Sequence, residues 1–430
     1  MKAKIITLGC KVNQYESEAM LEALLAGGFQ EAASGEEADV VVVNSCTVTA
    51  TSDQKVRQTL RRARKENPGA VTVLTGCMPQ AFPEEAAALL EADVVLGNAR
   101  RADLLPRVME YLSSKQRIVD IAPHEKGEKF ERMAVSTFHG RTRAFLKIED
   151  GCDRFCSYCI IPYARGRVRS KPLEDIREEV QRLGEQGFQE VVLTGINLSL
   201  YGRELGLRLP DAVEAAASVP GIDRVRIGSL EPELLTDADI ARLAAVPQLC
   251  GQFHLSLQSG CDATLARMNR HYTTARYREI AGALREKFPG CAITTDVITG
   301  FPGETPEEFA ETCGFVREMG FAMVHIFPYS ERRSTAAASM PDPVPMEERR
   351  RRASELAEIT AGSARAFYEA QVGTVQMVLI EKKREPDWIR GYTPNYTPVR
   401  VRCADDRRGE LLPVRITEAG PEGCTGVFAG

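Results

Sequence analysis

Three cysteines within the stretch GCDRFCSYC, Cys152, Cys156 and Cys159, have the spacing of a metal site. An odd number leaves one thiol over for disulfides, and a structural zinc site normally takes four protein ligands, one more than this loop supplies. A [4Fe–4S] cluster has four irons, so three thiolates would hold it and leave one iron open to another ligand. The loop therefore predicts an iron–sulfur cluster with an open position, and a zinc site or a spare thiol is the alternative.

The rest of the chain supports a metal role for clustered thiols. The start, MKAKIITLGC, has no apolar stretch long enough for a signal peptide, and no segment approaches a membrane span, so we expect a cytoplasmic protein. In a reducing compartment, clustered thiols indicate metal binding or catalysis rather than disulfides. Six other cysteines lack metal spacing and are interpreted as buried small side chains: Cys250, Cys261, Cys291, Cys313, Cys403 and Cys424. Five histidines show no paired ligand spacing and are interpreted as structural or substrate-facing: His124, His139, His254, His271 and His325.

Composition is that of an ordinary soluble protein with several domains. The 430 residues are 43% hydrophobic and 27% charged, which is enough apolar sequence for sizeable cores. The formal net charge of −5 does not indicate a nucleic-acid partner, so any basic surface must be local.

The first region alternates predicted strands with helices over 16–26 and 52–67. ADVVVVNSC is a continuous apolar run, which is typical of a strand buried on both faces of a parallel sheet. Cys10, Cys46 and Cys77 each lie just past the end of such a strand. Ligands bind at that edge in open α/β sheets, so we expect these three thiols to converge. The alternative is three unrelated buried cysteines.

The second region supplies six further β-α units, which predicts a partial parallel barrel. Helices over 173–186 and 306–319 are among those that separate the strands. The strand candidates are RAFLKIED (143–150), FQEVVLTGIN (188–197), RVRIGSLEP (224–232), QFHLSLQSG (252–260), AITTDVITG (292–300) and FAMVHIFPYS (321–330). Because barrel chemistry lies in the loops after the strands, the three-cysteine loop, directly after the first strand, occupies the active face.

A helix rich in arginine then leads to short strands from about residue 372, which predict a small antiparallel β-barrel or sandwich. We therefore predict an α/β fold of three domains and one linker. They are an N-terminal parallel-sheet domain (1–120), a linker (121–140), a partial (β/α)6 barrel with a trailing helix (141–371) and a C-terminal all-β domain (372–430).

The C-x-x-x-C-x-x-C loop after the first strand of a partial barrel resembles the radical S-adenosylmethionine (SAM) superfamily. The resemblance implies that SAM binds the open iron through its amino and carboxylate groups and is cleaved to a 5′-deoxyadenosyl radical. It also implies SAM contacts from Tyr158, beside the adenine, and from Thr194 and Gly195, in the segment that meets the SAM amino group. Glu231 and Gln258, which end the third and fourth strands, are further candidates for ribose or methionine contacts, or else they satisfy loop backbone.

The whole chain resembles the methylthiotransferases, which join a three-cysteine N-terminal domain to a radical SAM barrel and a C-terminal TRAM domain. The matching stretches are TLGCKVNQYESE, VVNSCTVT, TGCMPQ, AFLKIEDGCDRFCSYCIIPYARGRVRS, LSLQSGCD, MNRHYT, GFPGET and FPYSERRSTAA. The resemblance implies that Cys10, Cys46 and Cys77 hold a second [4Fe–4S] cluster. One SAM would methylate a sulfur on that cluster, and a second SAM would supply the radical that activates the substrate carbon.

Within the family, GCKVNQYESE is most similar to the branch that acts on N6-threonylcarbamoyladenosine beside the tRNA anticodon. The partners implied are the tRNA anticodon stem-loop and a reduced electron donor, with isopentenyladenosine or a ribosomal-protein aspartate as alternative substrates. Residues 141–171 contain eight Lys or Arg against three acids, which we interpret as a basic rim for phosphates. The C-terminal domain offers further candidates for RNA contacts, the cations Lys382, Lys383, Arg384, Arg390, Arg400, Arg402, Arg407, Arg408 and Arg415. Its aromatic residues Trp388, Tyr392 and Tyr396 are candidates for stacking on RNA bases, or else they form the core of a small domain. Two residues depart from the family pattern: Ser334 replaces the usual Gly, and Gly228 the usual Ser.

Overall fold

The computed structural model describes residues 1–133, 135, 138, 141–385 and 387–429, with the backbone alone for 382–385. The predicted α/β fold with a small all-β C-terminal barrel is confirmed. The predicted domain boundaries stay predictions, and part of the expected linker, together with His139, lies outside the described residues.

The first region folds into a six-stranded parallel sheet in the order β2-β1-β3-β4-β5-β6. Its central strand reads VVVVNS and is buried at every position, as expected for a strand covered on both faces. The strands are β1 (Lys2–Thr7), β2 (Gln30–Glu31), β3 (Val40–Ser45), β4 (Val71–Gly76), β5 (Val94–Leu96) and β6 (Ile118–Asp120). The helices are α1 (Lys11–Ala26), α2 (Ala50–Glu66), α3 (Cys77–Ala81), α4 (Pro83–Ala87), α5 (Leu104–Ser114) and the 3-10 helix Asn98–Asp103.

The second region forms an open barrel of parallel strands in chain order, and all six strand predictions are confirmed. One sheet runs β11-β10-β7 and the other β12-β13-β14-β15, and β11 and β12 are one strand interrupted at Gly228. The strands are β7 (Ala144–Lys147), β10 (Glu190–Thr194), β11 (Arg224–Ile227), β12 (Ser229–Leu230), β13 (Gln252–Leu255), β14 (Ala292–Thr299) and β15 (Met323–Pro328). A short antiparallel pair, β8 (Glu149–Asp150) and β9 (Arg169–Ser170), flanks the three-cysteine loop.

Helices cover the convex face of this barrel and bury one large apolar core against it. α6 (Ile161–Arg165) follows the three-cysteine loop and packs against α3 of the first region. The covering helices are α7 (Leu173–Glu185), α8 (Leu209–Ala217), α9 (Asp237–Ala244), α10 (Asp262–Arg267), α11 (Thr274–Lys287), α12 (Pro306–Met319) and α13 (Met346–Glu369). Short 3-10 helices occupy Leu198–Leu200, Arg203–Leu205, Pro232–Leu234 and Ala336–Ser339. α12 begins at a capping box in which Thr305 and Glu308 bond each other's backbone, as sequence rules for helix starts predict.

The C-terminal strands close into a barrel in the order β16-β17-β18-β20-β19. They are β16 (Val375–Glu385), β17 (Trp388–Tyr392), β18 (Pro398–Arg402), β19 (Leu411–Gly420) and β20 (Gly423–Phe428). The pairing is antiparallel except between β18 and β20, which run parallel. Closure leaves this small sheet without open edges, which is how barrels avoid edge-to-edge association.

The C-terminal barrel contacts the end of the central barrel where the strands begin. Arg226 Nη1 donates to the Pro394 carbonyl at 2.9 Å, and Arg224 donates to carbonyls of the same barrel. Tyr392 and Tyr396 stack on each other with ring centroids 4.5 Å apart, and Arg143 and Arg226 lie over their faces. These two tyrosines therefore belong to the contact between barrels, and the interpretation of them as exposed stacking platforms for RNA bases is wrong. In the part of the chain that is described, no helix is long and apolar enough to cross a membrane.

Candidate functional site

The three dispersed cysteines follow three neighbouring strands of the first sheet. Cys10 precedes α1 after β1, Cys46 directly follows β3, and Cys77 is the first residue of α3 after β4. The strands pair in the order β1-β3-β4, with Thr7 opposite Asn44 and Ser45 opposite Gly76, so their carboxyl ends are level. The structure thus brings Cys10, Cys46 and Cys77 to one edge of the sheet.

Gly76 allows the sharp passage from β4 into Cys77. Its φ is +99°, and a Cβ at this position would lie 2.5 Å from the carbonyl oxygen of Ser45 on the next strand. Only glycine combines this backbone conformation with so close an approach. The Ser45 hydroxyl completes the turn by donating to the Thr75 carbonyl at 2.6 Å and accepting from the Met78 N–H at 3.1 Å.

The three thiols act on one another electrostatically. Burial raises the pKa of Cys46 to about 11, and the thiols of Cys77 and Cys10 add to this rise, while the charge of Arg165 opposes it. Cys10 Sγ lies 3.2 Å from Asn13 Oδ1, and Asn13 in turn donates to the Ser45 carbonyl at 3.1 Å. These contacts hold the start of α1 against the end of β3.

Arg165 connects this edge of the sheet to the three-cysteine loop of the barrel. It ends α6, which follows that loop, and its side chain is completely buried. Its Nη1 donates to Glu16 Oε1 and to Asp150 Oδ1, both at 2.9 Å. Glu16 belongs to α1 and Asp150 immediately precedes the loop, so one guanidinium joins both cysteine groups through buried ion pairs.

The compact group lies at the carboxyl end of the first barrel strand, as predicted. Cys156 is buried and accepts a hydrogen bond from Arg270 Nη1 at 3.1 Å. Burial raises the pKa of the Cys159 thiol to about 12, and the Cys156 thiol adds to this rise. Burial also raises the pKa of the Cys152 thiol, and the thiols of Cys159 and Cys156 add to this rise. Neutral thiols in a buried pocket must lose protons to bind iron, which is the usual coupling of metal binding to deprotonation.

Two of the predicted SAM contacts lie beside this loop. Thr194 is the buried last residue of β10, and its carbonyl accepts from the Ile148 N–H at 2.9 Å. A Cβ on Gly195 would lie 2.6 Å from Glu149 Oε2. That carboxylate oxygen accepts from the backbone N–H groups of Ile196 and Asn197 at 2.7 and 2.8 Å, so Gly195 is needed for the loop to wrap around it.

The remaining candidates lie at the ends of the first, third and fourth barrel strands. Glu231 accepts from Asn197 Nδ2 at 2.6 Å and pairs with Arg154 and Arg270 at 3.1 and 3.2 Å. Gln258 has a left-handed backbone, with φ +68°, and its N–H donates to the Asp296 carbonyl at 2.8 Å. The Tyr158 ring meets Phe301 edge to face, with centroids 6.4 Å apart. All these residues border the mouth of the barrel around the compact cysteine loop.

Unpartnered buried atoms at this mouth fit a polar ligand. Among the described residues, Glu149 Oε1 and Asn197 Oδ1 are buried and have no hydrogen-bond partner. Buried polar atoms are nearly always bonded, so such a pair is expected where a polar molecule binds. With three thiols beside them, the residues present fit an iron–sulfur cluster that binds SAM.

The sequence did not reveal a polar group inside the barrel. His254, Asp296 and His325 lie on β13, β14 and β15, with one ligand atom of each within 4.8 Å of the others. His254 Nε2 is 3.2 Å from Asp296 Oδ2, and its Nδ1 is 3.1 Å from Thr294 Oγ1. Because the three residues are far apart along the chain, the sequence does not show this contact directly. Each one occupies a strand position that faces the inside of the barrel, and that shared position could have predicted it.

The interpretation of residues 141–171 as a basic rim is wrong for most of its cations. Lys147 and Arg169 pair with Asp150, Lys171 with Glu179, and all are buried. Further buried or half-buried ion pairs of this stretch join Arg143 to Glu381, Arg154 to Glu233 and Arg165 to Glu16. Of the eight cations, only Arg141 and Arg167 are exposed. The other six hold the interior of the protein together through these ion pairs.

The two departures from the family pattern have different structural consequences. Ser334 has φ +68°, a left-handed conformation that glycine adopts more readily than serine. At Gly228, a Cβ would make only an ordinary contact of 3.4 Å with Leu198, so the position does not require glycine.

Comparison with known proteins identifies two family regions. Residues 2–97 match the uncharacterized protein family UPF0004, and residues 146–316 match the Radical SAM superfamily. Among solved structures, the radical SAM methyltransferase TsrM from Kitasatospora setae, with cobalamin and a [4Fe–4S] cluster bound, has a TM-score of 0.58 at 14% identity, covering 78% of this chain and 77% of its own. The cobalamin-dependent radical enzyme OxsB has a TM-score of 0.52 at 12% identity, covering 78% and 54%. At these identities the likeness concerns the fold alone.

Curated relatives match over nearly the full length. Threonylcarbamoyladenosine tRNA methylthiotransferase MtaB of Bacillus subtilis is 37% identical over 96% of this chain and 93% of its own. The MtaB protein of Thermotoga maritima is also 37% identical, over 98% and 95%. A tRNA-2-methylthio-N(6)-dimethylallyladenosine synthase of Symbiobacterium thermophilum is 35% identical, over 97% and 92%. This chain is therefore an enzyme that belongs to the radical SAM methylthiotransferase family.

Proposed function

We propose that this enzyme converts N6-threonylcarbamoyladenosine beside the tRNA anticodon to its 2-methylthio derivative, using SAM and two [4Fe–4S] clusters. Membership of the radical SAM superfamily implies SAM and one cluster. The observation that carries the rest is that one three-cysteine group lies at the carboxyl edge of the first sheet and the other after the first barrel strand, and that the buried side chain of Arg165 joins the two through Glu16 and Asp150. Relatives named for the threonylcarbamoyl substrate support the choice of base.

In this proposal, Cys152, Cys156 and Cys159 hold the cluster that binds SAM. Tyr158, Thr194, Gly195, Glu231 and Gln258 surround the SAM molecule at the barrel mouth. Support comes from the unpartnered oxygens of Glu149 and Asn197 at the same place.

Cys10, Cys46 and Cys77 hold the second cluster. Support comes from their convergence at one sheet edge and from their mutual electrostatic influence. The thiolates of these three cysteines would surround a cluster of four irons. Their sulfur atoms therefore need not lie as close together as the ligand atoms of a single metal ion.

The cofactors supply the radical and the sulfur that side chains cannot, because the C2–H bond of a purine is unactivated. The protein residues have the tasks of binding, orienting and excluding water. The buried charges at the contact of sheet and barrel, Glu16, Arg101, Lys147, Asp150 and Arg165, hold the two cysteine groups in fixed relation.

Contact with tRNA phosphates falls to cations of the C-terminal barrel, which the sequence also indicated, rather than to those of residues 141–171. Arg400, Arg402 and Arg415 are exposed on the C-terminal barrel. The side chains of Lys382, Lys383 and Arg384 lie outside the described residues. Exposed arginines suit phosphate contacts, which position a nucleic acid without reading its sequence.

Iron and sulfide analysis of anaerobically reconstituted protein tests the two-cluster proposal. We expect about eight irons per chain in the wild type and about four in a variant with Cys152, Cys156 and Cys159 changed to alanine. The matched variant with Cys10, Cys46 and Cys77 changed to alanine should also retain about four. A wild type with about four irons that all disappear with the compact group would contradict the second cluster.

Analysis of tRNA nucleosides tests the substrate. A strain lacking the gene should lack the 2-methylthio derivative of N6-threonylcarbamoyladenosine, and the purified enzyme should restore it in the presence of SAM and a low-potential reductant. Loss of the 2-methylthio derivative of the dimethylallyl or isopentenyl base instead, or of the methylthiolated ribosomal-protein aspartate, would assign the enzyme to another substrate.

A further inference from the structure

The segment that follows the last barrel strand connects the barrel mouth to the first sheet. Residues 330–339 lie between β15 and α13, and we call them the bridging segment. They follow Tyr329, whose N–H donates to the Thr299 carbonyl of β14 at 2.9 Å. The Tyr329 ring meets Phe301 edge to face, with centroids 5.4 Å apart. The bridging segment therefore leaves the barrel from a fixed point.

One part of the bridging segment holds the loop that contains Cys46. The side chain of Arg332 is 4% exposed, and its Nη2 donates to Thr47 Oγ1 and to Asp53 Oδ2, both at 2.7 Å. The Thr47 hydroxyl in turn donates to Asp53 Oδ1 at 2.6 Å, which closes a triangle of hydrogen bonds. Thr47 follows Cys46 directly and is fully buried, whereas Val48 is exposed, so this loop is anchored at Thr47.

The same guanidinium also contacts the segment that follows Cys77. Arg332 lies over the ring of Phe82, with its Cζ 5.0 Å from the ring centroid. Phe82 directly follows α3, the short helix that begins at Cys77. Two residues before Arg332, Ser330 Oγ accepts from the Ala50 N–H at 3.1 Å, at the start of α2. Two of the three segments that carry thiols in the first region are thus held by the bridging segment.

Another part of the bridging segment holds the compact cysteine loop. The N–H of Ala337, which is buried, donates to the Ser157 carbonyl at 2.7 Å. Ser157 lies between Cys156 and Cys159. Since Arg332 and Ala337 are close together in the chain, a short stretch of backbone links the two cysteine groups.

We infer that Arg332 is a positioning residue for methylthio transfer, which holds the loops of Cys46 and Cys77 in a fixed place relative to the three-cysteine loop. The inference rests on the proposed function, because it requires a cluster on each cysteine group. Arg165 connects the same two groups at another point, through α1 and Asp150. One connection fixes a distance, and a second, separate connection fixes the orientation as well.

This role predicts a specific defect when Arg332 is lost. In the proposed function, SAM cleavage needs only the compact cysteine group, whereas methylthio transfer needs both groups in the correct relative position. A misplacement of about 1 Å can lower a rate about 100-fold, even when its cause is remote from the chemistry. The loss should therefore separate the two activities, with SAM cleavage retained and transfer impaired.

The test compares Arg332→Met with the wild type by measuring 5′-deoxyadenosine and the methylthiolated nucleoside of an anticodon stem-loop RNA. The variant should retain about eight irons per chain, because no cluster ligand is changed. It should form 5′-deoxyadenosine at nearly the wild-type rate. The methylthiolated nucleoside formed per 5′-deoxyadenosine should fall about 10- to 100-fold.

Hydrogen exchange of backbone amides gives a readout that does not depend on turnover. Arg332→Met leaves the Asp53 carboxylate and the Thr47 hydroxyl without the donor that they share. Amides of residues 47–53 should then exchange about 10- to 100-fold faster, as expected for lost hydrogen bonds to a charged group. Amides of the C-terminal barrel should be unaffected.

Three further variants make the outcome specific. Arg333→Met removes the adjacent arginine, whose side chain is 77% exposed and pairs with Glu85 at 3.0 Å, and it should keep the wild-type ratio of the two products. Arg332→Lys retains the charge without the planar fork of donors and should recover part of the ratio. Asp53→Asn should reproduce the defect of Arg332→Met, and the double variant should be no worse than either, because both remove the same contact.

The inference is overturned if Arg332→Met and Asp53→Asn keep the wild-type ratio of the two products. It is also overturned if both products decrease together at an unchanged ratio, which would indicate general destabilisation. If the wild type acts on another base, the same ratio tests the inference with that base. A wild type that forms 5′-deoxyadenosine but no methylthiolated product would instead refute the proposed function, and the inference would fall with it.

Discussion

Changing Glu16 to glutamine removes one charge from the buried contact between the first sheet and the barrel. The Glu16 side chain is completely buried in α1. It accepts from Arg101 Nη1 at 2.5 Å, Lys147 Nζ at 2.8 Å and Arg165 Nη1 at 2.9 Å. Glutamine has nearly the same shape, so the substitution tests charge rather than packing.

The magnitude follows from two independent considerations. Burial raises the pKa of Glu16, but the charges of Arg101, Arg165 and Lys147 outweigh it and lower the pKa from 4.5 to about 2. A difference of about 2.5 between unfolded and folded values corresponds to ~3 kcal/mol of stabilisation at neutral pH. Removing one partner of a buried ion pair costs about 3–5 kcal/mol. We expect a loss of ~3 kcal/mol.

Hydrogen exchange of backbone amides measures this loss locally, without requiring the whole chain to unfold in one step. At pH 7, amides of α1 in Glu16→Gln should exchange about 100-fold faster than in the wild type. Amides of the C-terminal barrel should be unaffected. Glu66→Gln is the matched control, because Glu66 is exposed and only weakly paired with Arg62 at 4.0 Å.

The sign of the pH dependence gives a second criterion. The depressed pKa means that Glu16 contributes its full stabilisation above about pH 4.5 and loses it as the pH falls toward 2. The difference between variant and wild type should therefore be smaller at pH 3 than at pH 7. Exchange of α1 within about threefold of the wild type at pH 7 would refute the structural role assigned to these charges.

Three further predictions concern the clusters, a strained loop and the contact between barrels. Cys46→Ala should still cleave SAM but form no methylthiolated nucleoside, whereas Cys156→Ala should do neither; methylthio product from Cys46→Ala would contradict the role of the first sheet. Ser334→Gly should relieve left-handed strain and stabilise its loop by about 0.5 kcal/mol, seen as a higher thermal midpoint, and a lower midpoint would contradict this. Arg226→Met should leave the Pro394 carbonyl without its donor and increase proteolysis of the C-terminal barrel; unchanged protection would show that other contacts suffice.

Local sequence was enough to predict the long elements and their order. The continuous valine run of β3 and the alternation of strands with helices reflect burial on both faces of a parallel sheet, a property that neighbouring residues reveal. The strand-end positions of Cys10, Cys46 and Cys77 predicted their convergence for the same reason. The edge strands β2 and β6, with two and three residues, were too short to produce a recognisable pattern.

Charge and aromatic content were misleading where tertiary contacts determine their use. The eight cations of residues 141–171 indicated a basic surface, yet most of them neutralise acids from other elements, such as Glu16 and Glu381. Tyr392 and Tyr396 resembled exposed stacking residues, but arginines at the base of the central barrel cover them. The local sequence reveals neither the acids that pair with these cations nor the arginines that lie over the two tyrosines.

The sequence by itself determined the family, the order of strands and the two cysteine groups, because each depends on residues close together or on regular β-α repeats. Only the tertiary structure decided that His254, Asp296 and His325 share one space. The register between β13, β14 and β15 sets all three on one face. These contacts between distant segments exist only once the sheet and barrel have packed together.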